Sequence, residues 1–131
     1  IFENELGGRV CVSGYYPWRS LQNAAKAAQT RAVCRWLSRD RLPAGVASFH
    51  RANLWARSRA GEVTSCLLLN ASLEPAAELS LAVRAARDEV DVLDASMGAR
   101  SVRAAGSDGP YRLFTLPRLE PWSAYLVTPR A

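Results

Sequence analysis

Apolar residues recur in two different rhythms along this chain. In the first third, a short run at Val10-Cys11-Val12 lies between Gly7-Gly8 and Gly14, which predicts a buried strand over Arg9 to Ser13, entered and left through permissive backbone. The aromatic connection Tyr15-Tyr16-Pro17-Trp18 follows. Leu21, Ala25, Ala28, Ala32, Trp36 and Leu37 then recur at helical spacing, with Gln22, Asn23, Lys26, Gln29 and Arg35 falling largely on the other side. This pattern predicts one amphipathic helix, capped by Ser20 with Asn23 in its first turn, whose alanine-rich face allows close approach to a sheet or another helix. Arg39-Asp40-Arg41, followed by Pro43 and Gly45, ends it near Ser38.

From about Val46 the period becomes two. Ala77, Leu79, Leu81 and Val83 alternate with Glu78, Ser80, Ala82 and Arg84, as in a half-buried antiparallel strand. Val63 to Asn70 is apolar on both faces at Cys66-Leu67-Leu68-Leu69, which predicts a central strand. Further strands are predicted over Phe49 to Arg57, Glu89 to Leu93, Arg100 to Ala104, Tyr111 to Leu116 and Ser123 to Val127. Turn signals separate them at Arg59-Ala60-Gly61, Asn70 to Pro75, Met97-Gly98 and Ser107-Asp108-Gly109-Pro110. Six or seven short strands with regular turns favour a β-sandwich or a small barrel, and the fold class expected is mainly β, a small antiparallel β-sandwich preceded by a strand and an α-helix left over from an α/β domain.

The expected division is therefore residues 1–42 and residues 43–131. One strand and one helix cannot bury both their faces, so the first part must pack on the β-domain or on something outside it. Because βα units normally extend a parallel sheet, the second is expected, with apolar surface left exposed at Val10, Val12 and the alanine face. The start on Ile1-Phe2 without an initiator Met adds to the expectation that the chain is the end of a larger protein.

With 131 residues the chain is long enough for one core without staples. No apolar stretch approaches the roughly 20 residues of a membrane span, and the start has none of the regions of a signal peptide. The net charge of +5 comes from 16 Arg and the single Lys26. Such an Arg- and Ala-rich bias reads as a GC-rich coding sequence with solvated arginines, so nucleic acid is not the expected partner. The feature that would reverse this is a gathering of Arg51, Arg57, Arg59, Arg84, Arg87, Arg100, Arg103 and Arg112 on one face. Cys11, Cys34 and Cys66 are widely spaced and odd in number, which predicts small buried hydrophobes of a reduced protein. Reduced thiols fit the cytoplasm, but a start inside a longer protein leaves the compartment open.

No catalytic constellation is expected. Glu3 and Glu5, two residues apart near the start, have no supporting shell for glycoside hydrolysis. Asp88, Glu89, Asp91 and Asp94 lack the ordered spacing of a calcium loop and read as an exposed strand face. His50, the only histidine, excludes a multi-histidine metal site, and no cysteine beside it has the setting of a thiolate nucleophile. Neither a metal nor a cofactor is expected. Asn70-Ala71-Ser72 matches a glycosylation sequon, but Asn is favoured in that turn anyway. The glycines of GGRVCVSG are wrongly ordered for a phosphate loop.

The aromatics give the sharpest choice. Tyr15, Tyr16, Trp18, Trp55 and Trp122 are candidates for a platform on which a sugar ring stacks. Against this, Trp36 is expected on the buried helix face, and Trp55 and Tyr125 in strands. Trp18 and Trp122, each following a proline, are expected to pin loops onto the core, with Trp122 as a packing anchor.

GGRVCVSGYYPW followed by a helix ending RWLS, then LLLNASLEPAAELSLAV and LPRLEPWSAYLV, resembles the C-terminal end of bacterial glycoside-hydrolase-like proteins of the β-galactosidase type. The resemblance spans nearly the whole chain. It implies that residues 1–42 are the last strand and helix of a glutamine-amidotransferase-like domain and that the rest is a C-terminal β-sandwich. No motif of a catalytic barrel is present, so the implied role is non-catalytic: bracing the remainder of the parent polypeptide or assembling a homo-oligomer. A carbohydrate-binding module and a basic nucleic-acid-binding β-domain are the two rival readings.

Overall fold

The computed structural model describes residues 1–16, 23–84, 87–96 and 98–130. They form two compact units, Ile1–Leu42 and Pro43–Ala131.

In the first unit β1 (Phe2–Glu3) and β2 (Arg9–Val10) form a short antiparallel hairpin, followed by α1 (Ala24–Ser38). The predicted strand over Arg9 to Ser13 thus shrinks to two residues, and its partner is the chain's own start instead of a parallel neighbour. It is not buried, since Val10 and Val12 are both exposed. Two β-residues cannot present a face wide enough to cover a helix.

The helix begins later than Ser20 would place it. Asn23 is its cap, with extended backbone and Oδ1 accepting from the amides of Ala25 (2.9 Å) and Lys26 (3.2 Å). Ser20 and Leu21 lie outside the described residues. The stop falls where expected: Arg39 and Asp40 take left-handed backbone, and the Asp40 amide reaches back to the Arg35 carbonyl at 2.9 Å. Ala25, Ala28, Ala32 and Leu37 of the predicted buried face are exposed, while Ala27 is the buried helical residue. Cover comes from polar reach: the Arg9 guanidinium stands 4.9 Å above the Trp36 ring and donates to the Trp36 carbonyl at 2.5 Å. Glu3 accepts from Arg9 (3.0 Å) and Arg39 (2.5 Å), which tie the hairpin to the helix end.

The second unit is a two-sheet antiparallel fold. One sheet has the order β3 (Ala44–Val46), β6 (Ser80–Val83), β10 (Tyr111–Thr115), β9 (Gly106–Asp108). The other runs β4 (Asn53–Arg59), β5 (Glu62–Leu69), β11 (Ala124–Pro129), β7 (Glu89–Asp94), β8 (Ala99–Arg103). All the longer predicted strands form, with ends shifted by a few residues. The sequence pattern misses β3, masked by Pro43 and Gly45, and β9, hidden inside the Ser107 to Pro110 turn signal. Both are three-residue edge strands, too short to show a period.

Alternation places the core between the sheets. Leu79, Leu81, Val83, Phe114 and Leu116 face Val63, Cys66, Leu68, Val90, Val92, Tyr125 and Val127. The central position of β5 holds, with β4 and β11 as its neighbours, but its two faces differ: Leu68 is fully buried and Leu67 stands exposed. The β4–β5 turn carries positive φ at both Ala60 (52°) and Gly61 (83°), which suits the right-handed twist of a two-residue hairpin.

Candidate functional site

The aromatic candidates are dispersed. Tyr15 is 41% exposed, but the Lys26 ammonium lies 4.5 Å over its ring and its hydroxyl donates to Gln29 Oε1 at 2.8 Å. Tyr16 is 64% exposed. Trp18 lies outside the described residues. Trp55 is 54% exposed on the edge strand β4. Trp122 is 67% exposed and takes φ of 56°, so it is not the packing anchor expected from its place between Pro121 and the last strand. Its backbone does the anchoring, with the amide donating to the Asn70 carbonyl at 2.7 Å, and this connection leaves the indole outside the core. Leu119 fills the buried position near this corner. No register pair joins Trp55 to Trp122.

Strand register instead builds an apolar row that the sequence did not show. Trp55 pairs with Leu67, Leu67 with Leu126, Leu126 with Leu93, and Leu93 with Ala99. All five project from the face of the five-stranded sheet opposite the core, because their neighbours Leu54, Leu68, Val127 and Val92 point inward. Trp55, Leu67 and Leu126 are among the exposed large hydrophobics. The next rung is polar, with Thr128, Asp91 and Ser101 in register.

The acidic run is engaged in ion pairs throughout, and it does not form one strand face: Glu89 and Asp91 share one side of β7, Asp94 falls on the other, and Asp88 precedes the strand. Asp88 faces Arg112, Glu89 and Asp91 face Arg130, and Asp94 faces Arg100. The Ser101 hydroxyl, then Arg130 and Arg103, hold the Glu89 carboxyl below its ordinary range. Asp94 is lowered chiefly by the Ser96 hydroxyl, with the Gly98 amide donating at 2.9 Å. Glu3 is lowered mainly by Arg9, and Glu5 is exposed. His50 Nδ1 lies 3.0 Å from Ser48 Oγ. Among the described residues no group of three or more His, Cys, Asp or Glu is placed to hold a metal ion.

The three cysteines do not share one environment. Only Cys66 is buried; Cys11 is half-buried and Cys34 exposed, which corrects the reading of all three as core residues. The short first unit has no interior at Cys11 or Cys34. Burial pushes the Cys66 thiol up to about 11. With iodoacetamide at pH 8, mass spectrometry is expected to find Cys34 alkylated in minutes and Cys66 protected until urea unfolds the sandwich. Since the folded thiol holds its proton more tightly than the unfolded one, this group lowers stability as pH rises from the ordinary thiol range to about 11.

The arginines divide. Arg57 and Arg59 lie on β4, at one edge of the five-stranded sheet, while Arg100 and Arg103 lie on β8 at the other. A single basic stripe of all eight is therefore not formed. No helix among the described residues is long and apolar enough to cross a membrane. Comparison with protein-family models, with curated proteins and with solved structures finds no match for this chain.

Proposed function

We propose that the chain is a non-catalytic packing and assembly region of a glycoside-hydrolase-like protein of the β-galactosidase type. In this reading residues 1–42 belong to an amidotransferase-like domain and the sandwich follows it. The observation that carries the assembly role is the row Trp55-Leu67-Leu126-Leu93 on the outer face of a sheet whose inner face already makes a complete core. Aliphatic side chains in register offer close packing to another protein surface, whereas a sugar ring needs flat aromatic faces and hydrogen-bonding groups around them. The exposed Val10, Val12 and alanine face of the first unit support the same reading. The family assignment itself rests on the sequence resemblance.

The exposed indoles of Trp55 and Trp122 favour a second reading, a carbohydrate-binding module. One pair of measurements separates the two. Sedimentation velocity of the full chain is expected to show concentration-dependent association that Leu126→Glu abolishes at unchanged urea midpoint. Affinity electrophoresis in galactan is expected to show no retardation. Retardation lost in Trp55→Ala or Trp122→Ala, with a chain monomeric at every concentration, would establish the carbohydrate reading instead.

A further inference from the structure

One end of the sandwich opens into a cleft of about 870 Å³. Arg87, Asp88 and Glu89 form its wall where the chain enters β7, Arg103 to Ser107 where it crosses from β8 to β9, and Arg112 and Arg130 complete it. Four guanidinium groups face two carboxylates, leaving a net charge of +2 in a concave space. Those carboxylates are already engaged. Asp88 Oδ1 is 2.8 Å from Arg112 Nε, and Glu89 accepts from the Ser101 hydroxyl at 2.7 Å with Arg130 Nη1 3.4 Å away. Arg112 Nε is shut off from solvent, yet its approach to Asp88 is too oblique to count as a hydrogen bond. Arg112 is fixed there by register. It lies on the same side of its strand as Phe114, so its stem leaves the core and its head emerges between the sheets.

The two remaining arginines keep donors in hand. Arg87 Nη1 donates to the Arg130 carbonyl at 2.7 Å, which orients its fork and occupies one of its five N–H groups. Arg103 interacts with Glu89 only through space among the described residues. A guanidinium held by one bond and otherwise open is preorganised for a planar or tetrahedral oxyanion, which it can grip with two parallel N–H groups.

We propose that this cleft is an oxyanion-binding site for a phosphate, sulfate or carboxylate group borne by a small molecule or a sugar, with Arg87 and Arg103 as its principal ligands. The carboxylates at the wall and the separation from Arg57 and Arg59 disfavour a continuous nucleic-acid backbone, which would need an unbroken run of positive charge. The site does not depend on the assembly role proposed above.

The test is titration of the full chain at low salt with inorganic phosphate, sulfate and glucuronate separately, followed by ¹H–¹⁵N correlation spectra. Saturable shifts are expected at Ala104, Gly106, Ser107 and the arginine Nε–H groups, and the strongest of the three anions names the chemistry. Arg87→Gln and Arg103→Gln are each expected to weaken binding at least about tenfold, the worth of one charge-assisted hydrogen bond. The double variant Arg57→Gln/Arg59→Gln lowers the net charge more than either single change does, and is expected to keep the affinity. Absence of saturable shifts with all three anions, or an equal loss in the Arg57/Arg59 variant, would overturn the proposal.

Discussion

Phe114→Ala is expected to lower the stability of the sandwich by about 3–5 kcal/mol, whereas Trp122→Ala shifts it by no more than about 0.5 kcal/mol. Phe114 is wholly buried on β10, opposite Leu81 of β6, and is the largest side chain with no exposed surface among the described residues. Removing its ring combines lost transfer energy with a cavity that the sheets on either side close only partly. The loss is a large share of the roughly 5–15 kcal/mol by which such domains are stable. Trp122 has the opposite situation: its indole lies outside the core, and the bond from its backbone amide to the Asn70 carbonyl survives any side-chain change. Urea midpoints of the two variants, measured side by side, check the contrast. A Trp122→Ala midpoint as low as that of Phe114→Ala would mean that the indole is buried after all.

Asn70→Ala is expected to produce the second large loss. Asn70 is only 1% exposed, the one buried residue among the described ones that is not hydrophobic. Its Nδ2 donates to the carbonyls of Glu74 (2.8 Å) and Leu119 (3.1 Å), and its Oδ1 accepts from the amide and hydroxyl of Ser72 (3.2 and 2.6 Å). One side chain thus closes the loop after β5 and holds it to the segment leading into β11. Each buried group left without its partner costs roughly 1–3 kcal/mol, and the loop that Asn70 organises loosens as well. Asn70→Asp is expected to be no better at neutral pH, because it turns a carboxylate oxygen toward two carbonyls. Urea titration of both variants, with hydrogen exchange at Ala76 and Leu119, would localise the damage. The same geometry answers the sequon at Asn70-Ala71-Ser72: a glycan on Nδ2 would replace one of the two donating N–H groups and would need room at a residue with almost no exposed surface.

Much of the fold was legible from spacing alone. Leu79, Leu81 and Val83 alternate in the sequence and are buried in the sandwich, since a strand's period of two needs no partner to be visible. The helix end near Ser38 was legible for a similar local reason, and Arg39 and Asp40 carry it out with left-handed backbone. Its start was not: Ser20 and Asn23 are both good caps by residue type, and the structure places the cap at Asn23.

The candidate surfaces were largely illegible. Register decides that Trp55, Leu67, Leu126 and Leu93, drawn from four separate strands, share one row, and register is a property of paired strands that no single strand records. Arg87, Arg103, Arg112 and Arg130 likewise converge only because β7, β8, β10 and β11 bring one end together at the cleft. Trp122 shows the converse limit. A proline before a tryptophan suggested an anchor, but the backbone conformation of the loop, set by the Asn70 and Leu119 contacts, left the ring outside. Local sequence determined which segments are strands, where they turn and which of their faces is apolar. The tertiary structure alone decided which outward residues stand side by side, because that depends on contacts between residues far apart in the chain.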